Sequence, residues 1–165
     1  MTATASTPVM NRLINKLNSA MIVAVQDAAV EVELLALSVN AELMPDNQDT
    51  LAMIEAWYVS LYGSSTYEQK EAMAADAHLN NPTKWPDIRA ATGGVFNAAP
   101  QVNSKSPYEA WVANAADYAI YWQNGHVSWY GNYYEPVPLR ETIEERATPL
   151  VHAIFWRALY DVIFG

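Results

Sequence analysis

The chain has 165 residues, of which 52% are hydrophobic and 16% are charged, and its formal net charge is −9. This length and composition predict one globular domain and exclude a disordered chain. The low charge indicates an uncharged surface that meets other subunits. The acidic balance argues against a protein that binds nucleic acid or anionic membranes, and the lack of cysteine excludes disulfides.

The N-terminal part of the chain is dominated by one apolar helix. Residues 1–7 are small and polar, so we expect them to be disordered, and no signal peptide is predicted. Apolar residues at spacings of three and four predict a helix over 8–43, about 50 Å long, ended by Pro45. Its charged residues exclude a membrane span. Leu34 and Leu37 widen the apolar face, which predicts an oligomer contact; alternatively, neighbouring helices of the same chain cover it.

Residues 46–80 are predicted to form a pair of helices. The first begins at Asp46 and ends at Gly63, with an apolar stripe of Leu51, Ile54, Tyr58 and Leu61. Ser65 and Glu68 form a capping-box pattern that begins the second helix, which runs to about His78. This second helix is rich in alanine, so we expect it on the surface.

The rest of the chain predicts strands and a final helix. After a loop over 82–94, Val95–Val102 and Tyr108–Ala115 are predicted to be strands. A helix is then predicted from about Pro138 to the C-terminus, with Pro149 as a point where it is expected to kink.

An aromatic segment over 117–140 precedes the final helix. It predicts a helical turn closed by Gly125, then a hairpin with strands at His126–Tyr130 and Tyr133–Glu135 around a two-residue turn, Gly131-Asn132. Aromatic side chains bring large contact area at low entropic cost, so the segment is either a projecting surface that binds protein or a part of the core. The candidate interface residues are Tyr118, Tyr121, Gly125, Trp129, Tyr130, Tyr133, Tyr134 and Pro138.

No pattern in the sequence predicts a catalytic or metal site. Glu141, Glu144, Glu145 and His152 offer carboxylates and an imidazole, but they lack the spacing of known metal-binding or hydrolase motifs. We keep a small acidic hydrolase built on these residues as one alternative. An adaptor that binds peptides or helices through the aromatic hairpin is another.

Several short motifs resemble those of one protein family. Asp117 to Gly125 reads DYAIYWQNG, Pro136 to Arg140 reads PVPLR before a long helix, and Thr92-Gly93 lies upstream. This order resembles the tail-completion or neck proteins of tailed bacteriophages, also described as minor tail components or head–tail joining proteins. Tyr118-Ala119, Tyr121 and Gly125 match the family pattern, whereas Val95 and Glu141-Thr142 depart from it.

The resemblance implies a fold and a function. It implies an α+β fold with long N-terminal and C-terminal helices packed on a small, mostly antiparallel, curved sheet, with 46–80 as an inserted helical pair. It also implies a virion protein, assembled in the host cytoplasm as a homo-oligomeric ring, often of six copies, between neighbouring neck and tail proteins. The resemblance further implies a protein without catalytic residues and without a cofactor. An acidic lumen would let DNA pass without binding it, because carboxylates repel phosphates.

Overall fold

The computed structural model describes residues 7–44, 49–80, 96–127 and 131–165. The predictions for residues 1–6, for Pro45 and Asp46, for 82–95, and for Trp129 and Tyr130 lie outside these ranges. The elements, in chain order, are α1 (Thr7–Leu43), α2 (Asp49–Glu55), β1 (Trp57–Leu61), β2 (Ser64–Ser65), α3 (Tyr67–Asn80), β3 (Trp111–Asn114), α4 (Ala119–Asn124), β4 (His126–Val127), β5 (Tyr133–Tyr134) and α5 (Leu139–Phe164). The predicted α+β class, with long helices at both ends of the chain, is confirmed.

The two long helices pack against each other and run antiparallel. Arg146 of α5 makes a bidentate ion pair with Glu42 of α1, with Nη1–Oε2 and Nη2–Oε1 distances of 2.6 and 2.9 Å. Farther along the pair, Val25 of α1 and Phe155 of α5 line one apolar groove. Residue numbers therefore fall along α1 and rise along α5 in the same direction. The hydrogen bond from Arg146 holds the pKa of Glu42 below its usual range. This pair therefore stabilises the fold above that range, and its contribution is lost as pH falls through the lowered pKa.

A small antiparallel sheet lies beside the helix pair. Its order is β2-β1-β3, with Trp57 opposite Asn114 and Ser60 opposite Trp111. The central strand β1 buries three consecutive residues, Tyr58, Val59 and Ser60. Together with Val39 of α1 and Ile143 of α5, Tyr58 belongs to the main hydrophobic core.

The predicted second helix is wrong beyond Glu55, because the chain changes there from helix to strand. Tyr58 and Leu61 were expected on a helical stripe, but they lie in β1. Trp57 to Val59 are aromatic and β-branched, which suits a strand, and burial of adjacent residues fits a strand covered on both faces. Residues 46–80 are therefore not a pair of inserted helices, since they supply the central strand of the sheet.

The capping box predicted at the start of α3 is confirmed only for its serine, whose hydroxyl meets the amide of Tyr67 and not that of Glu68. The Ser65 hydroxyl accepts a hydrogen bond from the Tyr67 amide at 3.1 Å. A salt bridge of 3.2 Å between Lys70 and Glu33, both largely buried, joins α3 to α1. Helix α3 was expected on the surface, but only part of it faces solvent, because Ala74 and His78 are buried.

The two predicted strands over 95–115 form only in part. The second is a strand at Trp111–Asn114, whereas the first contributes a single bridge between Ala98 and Ala116. Backbone bonds join Ala99 to Ala115 and Asp117 to Asn97, and farther along a side chain is the partner: the Tyr58 hydroxyl accepts from the Val102 amide at 2.9 Å. The Tyr67 hydroxyl likewise donates to the Ala99 carbonyl at 2.6 Å. The segment is extended, but buried hydroxyl groups hold it in place.

Replacing Tyr58 by Phe should therefore destabilise the protein. The change removes the acceptor of the Val102 amide, and a hydrogen bond of this kind contributes about 0.5–1.5 kcal/mol to stability. Equilibrium unfolding in urea measures the loss. Tyr62→Phe is the matched control, because Tyr62 is exposed on the turn after β1. Equal stability of the two variants would contradict a structural role for the Tyr58 hydroxyl.

Candidate protein-interaction surface

A tight turn at Gly125 joins helix α4 to the hairpin. Gly125 has a φ of 72°, a conformation that side-chain-bearing residues rarely adopt. A Cβ at this position would lie 2.9 Å from the Tyr134 carbonyl oxygen and 3.1 Å from the Pro136 nitrogen. Both the backbone conformation and the close approach of β5 therefore require glycine, which confirms the predicted end of the helical turn.

The hairpin after Gly125 forms where it was predicted but with a different register. His126 pairs with Tyr134 and Val127 pairs with Tyr133 in an antiparallel arrangement. A two-residue turn at Gly131-Asn132 would not allow Tyr133 to pair with Val127, so that turn prediction is wrong. A one-residue slip would move every side chain to the other face, so packing of one face fixes the register more firmly than the turn residues do.

The inner face of the hairpin packs on α4 through three aromatic rings. His126 stacks on Tyr134 with ring centroids 4.9 Å apart and planes 11° apart. Trp122 of α4 meets both rings edge-on, at 5.0 and 5.8 Å. The Val137 amide also donates to the Trp122 carbonyl at 2.8 Å, which joins the segment after the hairpin to α4. This packing favours the interpretation that Tyr134 stabilises its own chain.

Among the described residues, the outer face of the hairpin shows no such ring packing. Val127 and Tyr133 pair opposite each other, and each leaves 65% of its surface exposed. Neighbouring residues on a strand point to opposite faces, so these two side chains point away from Trp122. We call Val127 and Tyr133 the hairpin outer face.

The other candidate residues fall into exposed and internal groups. Tyr121 is exposed on α4, and Pro138 is exposed just before α5. Tyr118 is half-buried and meets Phe96 edge-on, with ring centroids 6.3 Å apart, so it serves its own chain. Leu34 leaves 55% of its surface exposed, whereas Leu37 is half-buried.

Leu34 belongs to an apolar stripe along α1. Val23 and Val30 are also exposed, and their spacings of seven and four residues place all three on one side of the helix, together with the exposed carboxylate of Asp27. The sheet and α5 cover other sides of α1. We call Val23, Val30 and Leu34 the α1 stripe.

A large apolar groove lies between the helix pair and the sheet. Its volume is about 1200 Å³, and Val25 and Val32 of α1, Trp111 of β3, Ile120 of α4 and Phe155 of α5 are among its lining residues. This volume exceeds the range of about 300–1000 Å³ that is typical of small-molecule sites. Sequence patterns did not predict the groove, because its walls come from segments far apart in the chain.

Two carboxylates lie on this groove. Asp117 precedes α4, and Glu144 on α5 accepts a hydrogen bond from Arg140 Nε at 2.7 Å. Partial burial raises the pKa of the Asp117 carboxyl group. A cation placed nearby would therefore favour the charged form of Asp117.

The residues of the hydrolase alternative do not converge. Glu141, Glu144, Glu145 and His152 are all exposed on α5. A rise of 1.5 Å per residue separates Glu145 from His152 by about 10 Å along the helix axis, too far for one to act on the other. Within the described ranges, no group of three acidic, histidine or cysteine residues is arranged to hold a metal ion.

Comparison of the chain with family models, with curated proteins and with solved structures finds no match. Among the helices of the described ranges, none has the length and hydropathy required to cross a membrane.

Gly125→Ala should destabilise the hairpin more than the same change at Gly131. Both glycines have positive φ, at 72° and 81°, so both variants carry backbone strain of about 1 kcal/mol. Only at Gly125 does the new Cβ also meet backbone atoms of β5, whereas the space around Gly131 is open. The difference in unfolding free energy between the variants measures the close approach alone. Equal losses of unfolding free energy in the two variants would show that β5 shifts to accommodate the new Cβ without a cost in stability.

Proposed function

We propose that this chain is a structural subunit that assembles with copies of itself into a ring in the neck or tail of a tailed bacteriophage. The observation that carries the proposal is the exposed α1 stripe. Large apolar side chains exposed together on one side of a helix favour a site of protein association, although Asp27 lies among them. A structural subunit needs neither a catalytic residue nor a cofactor for this role.

The distribution of apolar surface supports assembly in more than one direction. The α1 stripe and the hairpin outer face lie on different elements, and the groove opens between the helix pair and the sheet. A subunit of a stacked ring needs contacts to its neighbours in the ring and to the rings before and after it. The low charged fraction of 16% fits a chain that covers much of its surface in this way.

The phage assignment within this proposal rests on the resemblance of the α4–hairpin–α5 segment. The matching residues stand at its turning points, since Tyr118 precedes α4, Gly125 ends it and Pro138 precedes α5. Gly125 is matched where the backbone tolerates no other residue. The net charge of −9 supports a lumen that repels DNA during passage.

The adaptor alternative draws on the same exposed groups, and the oligomeric state separates the two. Native mass spectrometry and negative-stain electron microscopy of the purified chain are expected to show a closed ring. Mass spectrometry of purified phage particles that carry this gene should then detect the chain in the virion. A compact monomer would contradict the ring and favour the adaptor. A ring missing from particles would leave assembly intact but overturn the phage role.

Leu34→Glu should weaken assembly without unfolding the subunit. The exposed side chain tolerates a charge in the free subunit, whereas burying an unpaired carboxylate in a contact costs several kcal/mol. Asn18→Glu is the matched control, because it adds a negative charge at an exposed polar position on the opposite side of the same helix. Leu37→Glu should weaken both assembly and folding, since Leu37 is half-buried. Light scattering and thermal melting read the two properties separately, and a Leu34→Glu oligomer of normal size would exclude the α1 stripe from the contact.

The two faces of the hairpin should respond differently to truncation. The double variant Val127→Ala with Tyr133→Ala removes exposed groups, so we expect normal folding and a loss of about 2 kcal/mol in binding, or about 30-fold in affinity. Tyr134→Ala removes a ring packed on Trp122 and His126, so we expect a lower melting temperature. Calorimetric melting and sedimentation of the assembled protein measure these effects. Unchanged assembly of the double variant would limit the hairpin to a structural role.

A further inference from the structure

The N-terminal end of α1 projects beyond the body of the subunit. Residues 7–16 are all exposed, and they continue the helix for about 15 Å past the part that packs on α5. Large apolar side chains occupy one side of this end: Val9, Met10, Leu13 and Ile14. A free helix end of this length is marginal in water, so its helical form gains stability when that side is covered. We call residues 7–16 the α1 projection.

The groove and the α1 projection are of the same order of size. A helix of this length, taken as a cylinder about 10 Å across and 15 Å long, occupies on the order of 1200 Å³. The groove has a volume of about 1200 Å³. Its apolar walls, such as Ile120 and Phe155, suit the apolar side of the projection.

The two surfaces also match in charge. The α1 projection contains Arg12 and Lys16 and no acidic residue, although the chain as a whole carries a charge of −9. The groove presents the carboxylates of Asp117 and Glu144 and one cation, Arg140, which pairs with Glu144, so Asp117 is left as its excess negative charge. Opposite charges across a contact fix its register and disfavour wrong partners.

A subunit does not fill its own groove with its own projection. Val25 and Val32 form one wall of the groove, and the projection continues the same helix away from them. The occupant that supplies the projection is therefore another copy of the chain.

We propose that the α1 projection of one subunit docks into the groove of the next subunit, head to tail. A contact between two different surfaces of identical chains is heterologous, and it generates a ring when the rotation closes. This inference rests on the self-assembly stated in the proposed function and names the surfaces that carry it.

Two variants that each break one side of the contact provide the test. Leu13→Glu with Ile14→Glu disrupts the projection and leaves the groove intact. Ile120→Glu disrupts the groove and leaves the projection intact, and Ile120 leaves 60% of its surface exposed, so the fold tolerates the change. Asn15→Glu, on the polar side of the projection, and Met73→Glu, exposed on α3, are the matched controls.

The expected result is specific to a head-to-tail contact. Each disrupted variant alone should be monomeric, with affinity reduced by at least about 100-fold, because a carboxylate is buried without a partner. Mixing the two should restore one intact contact per pair and give a 1:1 dimer that grows no further. The controls should assemble like the unmodified chain. Native mass spectrometry identifies each species by mass.

Other outcomes overturn the inference in distinguishable ways. If the unmodified chain forms a ring and either disrupted variant does so too, the docking is wrong while the proposed function stands. The docking is also wrong, and the proposed function stands, if both variants are monomeric and their mixture gives no dimer. That result is expected if the groove binds an unrelated partner or a small molecule. If the unmodified chain is itself monomeric, both proposals fail. If a variant unfolds, hydrogen exchange of the unmodified chain provides the test. The amides of residues 7–16 should be better protected in the oligomer than in subunits separated by dilution. Equal protection in the two states would overturn the docking.

Discussion

The length of α1 is the constraint on which the rest of this structure depends. A 37-residue helix spans about 55 Å, which is more than a chain of this size covers with its own elements. The middle and C-terminal part of α1 pairs with α5 and with the sheet, and the bidentate contact between Glu42 and Arg146 joins the ends of this pairing. Within the part of the chain that the structure describes, two regions of α1 stay exposed, namely the α1 stripe and the α1 projection. The interaction surfaces follow from this excess of length.

The sequence predicts the helices well because their signals are local. The apolar spacing of α1, the Ser65 cap of α3 and Gly125 after α4 each act within a few residues of the element they define. The strand β1 was missed because Tyr58 and Leu61 also fit a helical spacing, and only burial on both faces distinguishes the two. The segment around Val102 was overestimated because its hydrogen-bond partners are the hydroxyl groups of Tyr58 and Tyr67, and no local pattern reveals partners so distant in the chain.

The difference between local and distant signals also decides which parts of the candidate interaction surface could be predicted. Composition predicts an aromatic hairpin after Gly125, but the choice between core and partner contact is made one side chain at a time. Tyr134 and Tyr133 are adjacent and chemically identical, yet one stacks on His126 and the other faces outward. Register alone decides which ring has which role. The groove could not be predicted at all, since it exists only after α1, β3, α4 and α5 have assembled around it.

Net charge limits where copies of this chain can meet. Subunits that each carry −9 repel one another, and at physiological ionic strength this repulsion is screened beyond about 8 Å, so it acts mainly at contact. A favourable interface must then combine surfaces that are apolar or locally opposite in charge. The α1 stripe and the hairpin outer face meet the first condition. The α1 projection, with Arg12 and Lys16, and the groove, with Asp117 and Glu144, meet both. In the proposed ring, contacts of this kind leave the excess carboxylates on surfaces outside the subunit contacts, where a lumen for DNA requires them.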